Sequence, residues 1–300
     1  MEPLDALFPD FEHRRIRVGD TELNVRIGGS GPPLLCLHGY PQTQACWHRV
    51  APPLADVATL VLIDLPGYGN SDKPPATRGH ESYAKRTVAS DCVALMQSLG
   101  FPRFSIMGHD RGARVAYRLS LDTPAAVERL IVLDIVPTIE VWDAFGAGAA
   151  NRSYHWTFLA QEAPLPETLI AGAPRAYIDM TLARWTQDKS LDAFDPAALE
   201  SYRALFDDAA GITAVCEDYR AGATIDAVLD AQDRAAGTKI AAPTLFLWGS
   251  NYLGQGQNNP LPTWERWCTE VRGAEVTSGH FLVEENPEAV LDHVVPFLTE

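Results

Sequence analysis

Apolar and polar positions along the 300-residue chain alternate between two rhythms. Short, β-rich apolar runs end in Gly, Asp or Pro: PPLLCLHG (32–39), ATLVLIDLPG (58–67), FSIMGHD (104–110), RLIVLDIVP (129–137), APTLFLWGS (242–250) and AEVTSGHF (274–281). Such uninterrupted runs suit strands buried on both faces. RIRV (15–18) and ELNVRI (22–27) flank Gly19-Asp20 and predict an antiparallel hairpin. Between the runs, YAKRTVASDCVALMQSLG (83–100) and GARVAYRLSLDTP (112–124) space their apolar residues as helices do. Strands separated by helices predict a mostly parallel sheet with helices on both faces, an α/β architecture.

From about Ile139 to Ala235 this rhythm breaks. The segment is rich in Ala, Trp, Tyr and Asp, has helical spacing and holds no strand-like run. The expected organisation is therefore an α/β core built from residues 1–138 and 236–300, with 139–235 inserted as a helical cap. Such a cap would lie over the carboxyl edge of the sheet, where ligands of α/β proteins bind.

A formal net charge of −15 leaves no basic stripe for neutralising phosphates, so nucleic acid is not an expected partner. The same charge repels anions at long range, so an anionic substrate would need a local group of cations. Five scattered cysteines without a C-x-x-C pair read as reduced thiols rather than a zinc site. MEPLDALFPDFEHRR lacks the basic-then-apolar order of a signal peptide, and no apolar run has the length of a membrane span. The expectation is a cytoplasmic protein with no membrane partner.

Chemistry concentrates in FSIMGHDRGARVAY. A predicted strand runs through Gly108-His109-Asp110-Arg111-Gly112 into a helix, the small-x-nucleophile-x-small elbow of the α/β-hydrolase fold with Asp in the nucleophile position. A carboxylate with an ordinary pKa near 3.9 is ionised at neutral pH, so it attacks without a base. Displacement at a saturated carbon would leave an alkyl ester on Asp110. Only hydrolysis of that ester requires a base, which favours halide displacement or epoxide opening over ester hydrolysis.

His280, in EVTSGHF after the last predicted strand, is the expected base, completing the nucleophile…acid…His order. His38, His109, His155 and His293 compete with it, although His109 lies within the elbow and should point away from the cavity. Ser250-Asn251-Tyr252-Leu253-Gly254, after APTLFLWG, offers no carboxylate. Asp134, one strand after the elbow, is therefore expected to accept the Nδ1–H of His280. The backbone N–H groups of Tyr40, in His38-Gly39-Tyr40-Pro41, and of Arg111 are the candidate oxyanion hole.

Arg111 and Arg114 stand on the opening turn of the elbow helix, about 5–6 Å apart on one face. Two guanidinium forks beside a helix N-terminus can grip a carboxylate. Burying both next to one Asp is unfavourable unless an anion completes the balance, which implies a small α-substituted carboxylic acid.

HGYPQT, DLPGYGNSD, GHDRGARVAYRL, LDIVPT, YHW, CEDYRAG and SGHF together resemble the haloacetate dehalogenases, from about Phe11 to Phe297. The resemblance implies Asp110 as nucleophile, His280 as base, Asp134 as its partner, and Arg111 with Arg114 on the substrate carboxylate. It further implies a halide pocket of His155, Trp156 and Tyr219, no cofactor, and a homodimer. An imidazole, an indole N–H and a phenol would suit departing fluoride, which is small and strongly hydrated. Trp185 is a further lining candidate, and Ser250–Asn259 reads as a surface loop.

Two rivals remain. An epoxide hydrolase shares the Asp/His/Asp set but usually needs two cap tyrosines; Tyr154, Tyr177, Tyr202 and Tyr219 are available. A non-catalytic small-molecule receptor could use the same scaffold.

Overall fold

The computed structural model describes residues 3–300, so the first two residues assigned to the core lie outside the described residues. Eight strands form one sheet: β1 (Glu12–Val18), β2 (Thr21–Gly29), β3 (Pro33–Leu37), β4 (Thr59–Ile63), β5 (Phe104–His109), β6 (Val127–Leu133), β7 (Thr244–Gly249) and β8 (Val271–Val276). Their spatial order is β1-β2-β4-β3-β5-β6-β7-β8. The hairpin turns at Gly19-Asp20 with Val18 opposite Thr21, and β2 also pairs antiparallel with β4. The remaining pairs are parallel. Central strands β5 and β7 are buried along their whole length, as the unbroken apolar runs predict, while edge strand β8 is mostly half-exposed.

Register decides where the chemistry gathers. Leu37 pairs with Gly108, His109 with Leu133, and Leu133 with Leu247. The residues just beyond these pairs, His38–Tyr40, Asp110, Asp134 and Gly249, therefore lie side by side at the carboxyl edge. Helix α1 (Lys85–Ser98) and helix α2 (Arg111–Asp122) pack on one another.

The last strand is shorter and earlier than the AEVTSGHF run suggested. β8 ends at Val276, and Thr277–His280 leave the sheet. That departure has a local cause. The His280 N–H donates to the carbonyl of Trp185 at 2.8 Å, and a Cβ at Gly279 would collide with the same carbonyl. Only glycine allows the loop to reach the inserted helices so closely.

Between β6 and β7 the described residues contain helices and no strand. These are α3 (Thr138–Asp143), α4 (Ala147–Arg152), α5 (Tyr154–Leu159), α6 (Leu165–Ala171), α7 (Pro174–Trp185), α8 (Pro196–Asp207), α9 (Ala209–Ala221) and α10 (Ala227–Ala236), with a π turn at Gly222–Asp226 before α10. Buried polar contacts tie this insertion to the core. Tyr68 Oη donates to Asp218 of α9 at 2.7 Å, Lys85 pairs with Asp218 and Asp226, and Tyr202 donates to Glu284 at 2.9 Å. No described helix is long and apolar enough to cross a membrane. All five cysteines are free and buried.

Candidate active site

Asp110 occupies the junction of β5 and α2 with φ 46° and ψ −114°, a conformation that L-residues seldom adopt. The turn is held by close backbone approach on two sides. A Cβ at Gly112 would strike the carbonyls of Leu37 and His38, and one at Gly39 would strike the Asp110 side chain. The strained elbow turns the Asp110 carboxylate away from the sheet, where its side chain is 11% exposed. The Tyr40 N–H donates to its Oδ1 at 2.9 Å. One of the two donors expected from the backbone thus already grips the carboxylate, leaving Oδ2 for chemistry.

His280 faces that second oxygen, its Nε2 3.7 Å from Asp110 Oδ2. This is an ion-pair separation, longer than a hydrogen bond, and the buried Nε2 has no hydrogen-bond partner among the described residues. On the other side of the ring, Nδ1 lies 2.7 Å from Asp134 Oδ2. Asp134 is itself fixed, accepting from the Gly249 N–H through Oδ1 at 2.9 Å. Burial alone would disfavour a charged imidazole. Asp110 and Asp134 outweigh it and bring His280 up to about 9. Burial raises the Asp110 carboxyl, but His280 and Arg114 override this and hold it well below the ordinary carboxylate range. The resting site therefore pairs an ionised Asp110 with an imidazolium.

Two of the competing histidines, His109 and His38, are engaged elsewhere. His109 Nε2 contacts the His280 carbonyl at 2.8 Å, so it supports the loop from behind. His38 accepts from the Leu65 N–H at 3.0 Å.

The two arginines share the buried face beside Asp110 but are not equivalent. Arg111 donates from Nε to Asp218 Oδ2 at 2.9 Å, and from Nη2 to Asp218 Oδ1 at 3.0 Å and the Asp218 carbonyl at 2.6 Å. Only Nη1 is left without a partner. This corrects the expectation that both guanidinium groups balance Asp110 and an incoming anion alone. A buried acid of the insertion neutralises Arg111 and orients it. Arg114 donates from Nη1 to the Val136 carbonyl and to Thr138 Oγ1, both at 3.1 Å, and its buried Nε has no partner. Its guanidinium carbon sits 4.6 Å from the Trp156 ring, and that of Arg111 lies 4.3 Å from the Tyr219 ring.

His155, Trp156 and Tyr219 are brought together by α5 and α9. His155 and Tyr219 ring centroids are 5.7 Å apart, and Trp156 meets Tyr219 edge-on at 6.1 Å. Burial pushes His155 down to about 3, with Arg111 and Arg114 acting in the same direction, so its imidazole is neutral. Its Nδ1 is buried without a partner. Burial and the nearby Asp110 charge keep the Tyr219 phenol well above its ordinary range, hence protonated.

Several features lay outside the sequence reading. The Tyr40 side chain, assigned no part, forms a buried wall against Tyr219 at 5.2 Å and Trp185 at 5.7 Å, its hydroxyl 2.9 Å from that of Tyr177. Tyr252, in the loop of unassigned purpose, covers His280 with ring centroids 4.3 Å apart. Trp185, a lining candidate from the sequence, meets both His155 at 4.5 Å and His280 at 5.5 Å. Gly222 leaves room for Arg111, since a Cβ there would come within 2.9 Å of Nη2. The motif CEDYRAG holds both Asp218 and Gly222, and was the available signal. Among the described residues no group of three His, Cys, Asp or Glu side chains is placed to hold a metal ion.

Residues 32–287 match the family described as the alpha/beta hydrolase fold. The chain belongs to that family, and the protein is a hydrolase built on its elbow and carboxyl-edge site. The particular relatives narrow this further. It is 41% identical over 294 residues to a fluoroacetate dehalogenase from a Burkholderia species, covering 98% of this chain and 96% of the relative. It is 30% identical over 291 residues to a soluble epoxide hydrolase from Corynebacterium sp. (strain C12), covering 96% and 97%. A solved structure described as an α/β hydrolase from Nostoc sp PCC 7120 superposes with a TM-score of 0.94 at 43% identity, covering 98% and 99%.

Proposed function

We propose that this hydrolase removes halide from haloacetates, fluoroacetate among them, through an ester on Asp110. The observation that carries the reading is the set of buried polar atoms with no protein partner, the donors Arg111 Nη1 and Arg114 Nε together with His155 Nδ1, on the side chains that surround an ionised Asp110. Unpaired buried donors are unfavourable, and an anion bearing a carboxylate and a halogen would pair them.

Asp110 Oδ2 attacks the substrate Cα, a C–O bond forms, and the C–halogen electron pair leaves as halide toward His155, Trp156 and Tyr219. The attack cancels the negative charge on Asp110. One of the two carboxylates that hold His280 near 9 is thereby lost, so the ring's affinity for a proton falls, the imidazolium releases its proton to solvent, and the neutral ring becomes a competent base. His280 then takes a proton from water, whose oxygen adds to the Asp110 carbonyl carbon. Charge on Oδ1 develops against the Tyr40 N–H already bonded to it, joined by that of Arg111. Collapse breaks the Cγ–Oδ2 bond and releases the 2-hydroxy acid, its new hydroxyl taking the proton of the acid formed at Asp110, and Asp134 stabilises the imidazolium that hydrolysis regenerates. The inserted helices act as a cap that supplies the halide pocket and excludes water.

Similarity to an epoxide hydrolase supports a second reading, but two of the four tyrosines it could use are committed. Tyr177 is bonded to Tyr40, and Tyr202 to Glu284. Fluoride released from fluoroacetate, followed with an ion-selective electrode, should exceed the blank. Turnover in 18O-water should place the label in the Asp110 carboxylate. Diol formation from a small epoxide without halide release from any haloacetate would reverse the choice.

A further inference from the structure

The net charge of −15 sets a problem for any enzyme that takes up one anion and expels two. Outside the catalytic residues lies a cavity of about 740 Å³ between the insertion and the 251–258 loop. Arg152, Arg184 and Lys189 line it, and no Asp or Glu is among its described lining residues. Among the described residues none of the three cations forms an ion pair with a carboxylate. Arg184 Nη2 donates to the Asn151 carbonyl at 3.3 Å, its guanidinium carbon lies 5.8 Å from the Tyr154 ring, and Lys189 Nζ donates to the carbonyls of Arg184 and Thr186, both at 2.9 Å. Beyond the Thr186–Ser190 segment a neighbouring cavity of about 220 Å³ is lined instead by Asp188, Asp192, Glu284 and Glu285, with Arg49 as its one described cation. Charge on this face is therefore divided between a cationic compartment and one in which carboxylates outnumber the cation.

The cationic compartment adjoins the reaction. Trp185 and Tyr252 line it, and the same rings stand 5.5 Å and 4.3 Å from the His280 ring. The two aromatic side chains form a partition with unpaired cations on one side and the catalytic imidazole on the other. Neither Arg111 nor Arg114 is among its described lining residues, so the arginines beside Asp110 are not what makes it cationic.

We propose that this cavity is an anion antechamber, in which Arg152, Arg184 and Lys189 collect small monocarboxylates from an otherwise repelling field and pass them across Trp185 and Tyr252. The inference rests on the haloacetate reading and extends it to the route taken. Low-dielectric walls lined by one sign of charge focus the potential and raise the local concentration of counter-ions. Exposed charges are screened within about 10 Å at 0.1 M salt, so the benefit belongs to low ionic strength.

The test is halide release from fluoroacetate and chloroacetate by the wild type and by Arg152→Ala/Arg184→Ala, followed against NaCl concentration. Lys189 is left in place because it caps the end of α7. At ionic strengths on the order of 10 mM the double variant should lose about tenfold in kcat/KM with kcat unchanged, and the gap should close as salt is raised. Arg152→Glu/Arg184→Glu should widen the low-salt gap. Equal kcat/KM at low salt would overturn the antechamber, as would a deficit that persists at high salt. If kcat also falls, Arg152→Gln/Arg184→Gln, which keeps the bulk and removes the charge, must reproduce the salt-dependent gap or the proposal fails. A wild type active on haloacetates beside an unaffected variant would remove the antechamber alone; a wild type that releases no halide would remove the haloacetate reading and the antechamber with it.

Discussion

Asp218 grips Arg111 through both carboxylate oxygens and its backbone carbonyl, across 107 residues of sequence and with both side chains buried. One acid of the insertion thus neutralises a cation of the elbow helix and leaves only its Nη1 without a partner. Lys85 and Tyr68 converge on the same carboxylate, so the cluster also fastens the insertion to the core.

Removing that acid should therefore affect stability and substrate affinity together. Asp218→Ala leaves Arg111 and Lys85 buried and under-neutralised, and should destabilise the fold by about 3–5 kcal/mol. Asp218→Asn keeps the shape and part of the hydrogen bonding. It should raise KM for haloacetates on the order of tenfold with a smaller stability loss. Urea unfolding and steady-state kinetics on both variants check this. An unchanged KM in Asp218→Asn would mean that Arg111 does not meet the substrate.

Gly222 separates positioning from folding. Its φ of −60° suits any L-residue, so alanine there adds no backbone strain. The added methyl would come within 2.9 Å of Arg111 Nη2 and displace the guanidinium. Gly222→Ala is expected to melt at or slightly above the wild-type temperature while KM rises by about tenfold, the scale of a misplaced binding group. Calorimetry beside kinetics distinguishes this from a general loss of structure.

The charge of His280 should follow that of Asp110. His280 is raised to about 9 from an ordinary 6.5, so its stabilising contribution is complete below about pH 6.5 and is lost as pH climbs through about 9. Asp110→Asn removes one of the two charges responsible. In that variant the His280 resonance should titrate at lower pH, and the alkaline loss of stability should begin earlier. NMR titration and unfolding at a series of pH values report both. A titration midpoint unmoved by Asp110→Asn would contradict the coupling that converts an imidazolium into a base.

The halide pocket should reveal itself through the halogen series. Trp156→Phe keeps a ring against Arg114 but deletes the indole N–H. Losing one donor to developing charge typically costs about 10²-fold in rate. Fluoroacetate should suffer a loss of that order, whereas chloroacetate, whose leaving group is larger and less strongly hydrated, should suffer less. Equal losses on both substrates would indicate packing alone.

The elements legible in the sequence are those set by neighbours along the chain. Unbroken apolar runs specify buried strands, and Gly108 with Gly112 allows the sharp turn at Asp110. Asp134 was found partly by elimination, because no carboxylate follows β7. The last strand was misplaced by several residues, since β-propensity in AEVTSGHF says nothing of the Trp185 carbonyl that draws the loop away.

What the sequence determined by itself was the raw material of the site: an acid on a strand-to-helix elbow, a histidine after the last strand, and arginines at the first and fourth positions after the acid. These follow from local geometry and side-chain pKa values, which a linear pattern carries. Only the tertiary structure decided how the charges are shared. Whether Arg111 answers to Asp110 or to Asp218, and which rings cover His280, depends on how the inserted helices dock over 100 residues away in sequence. Burial makes each such pairing stronger than it would be in water, so the docking, rather than the composition, sets the site's electrostatics.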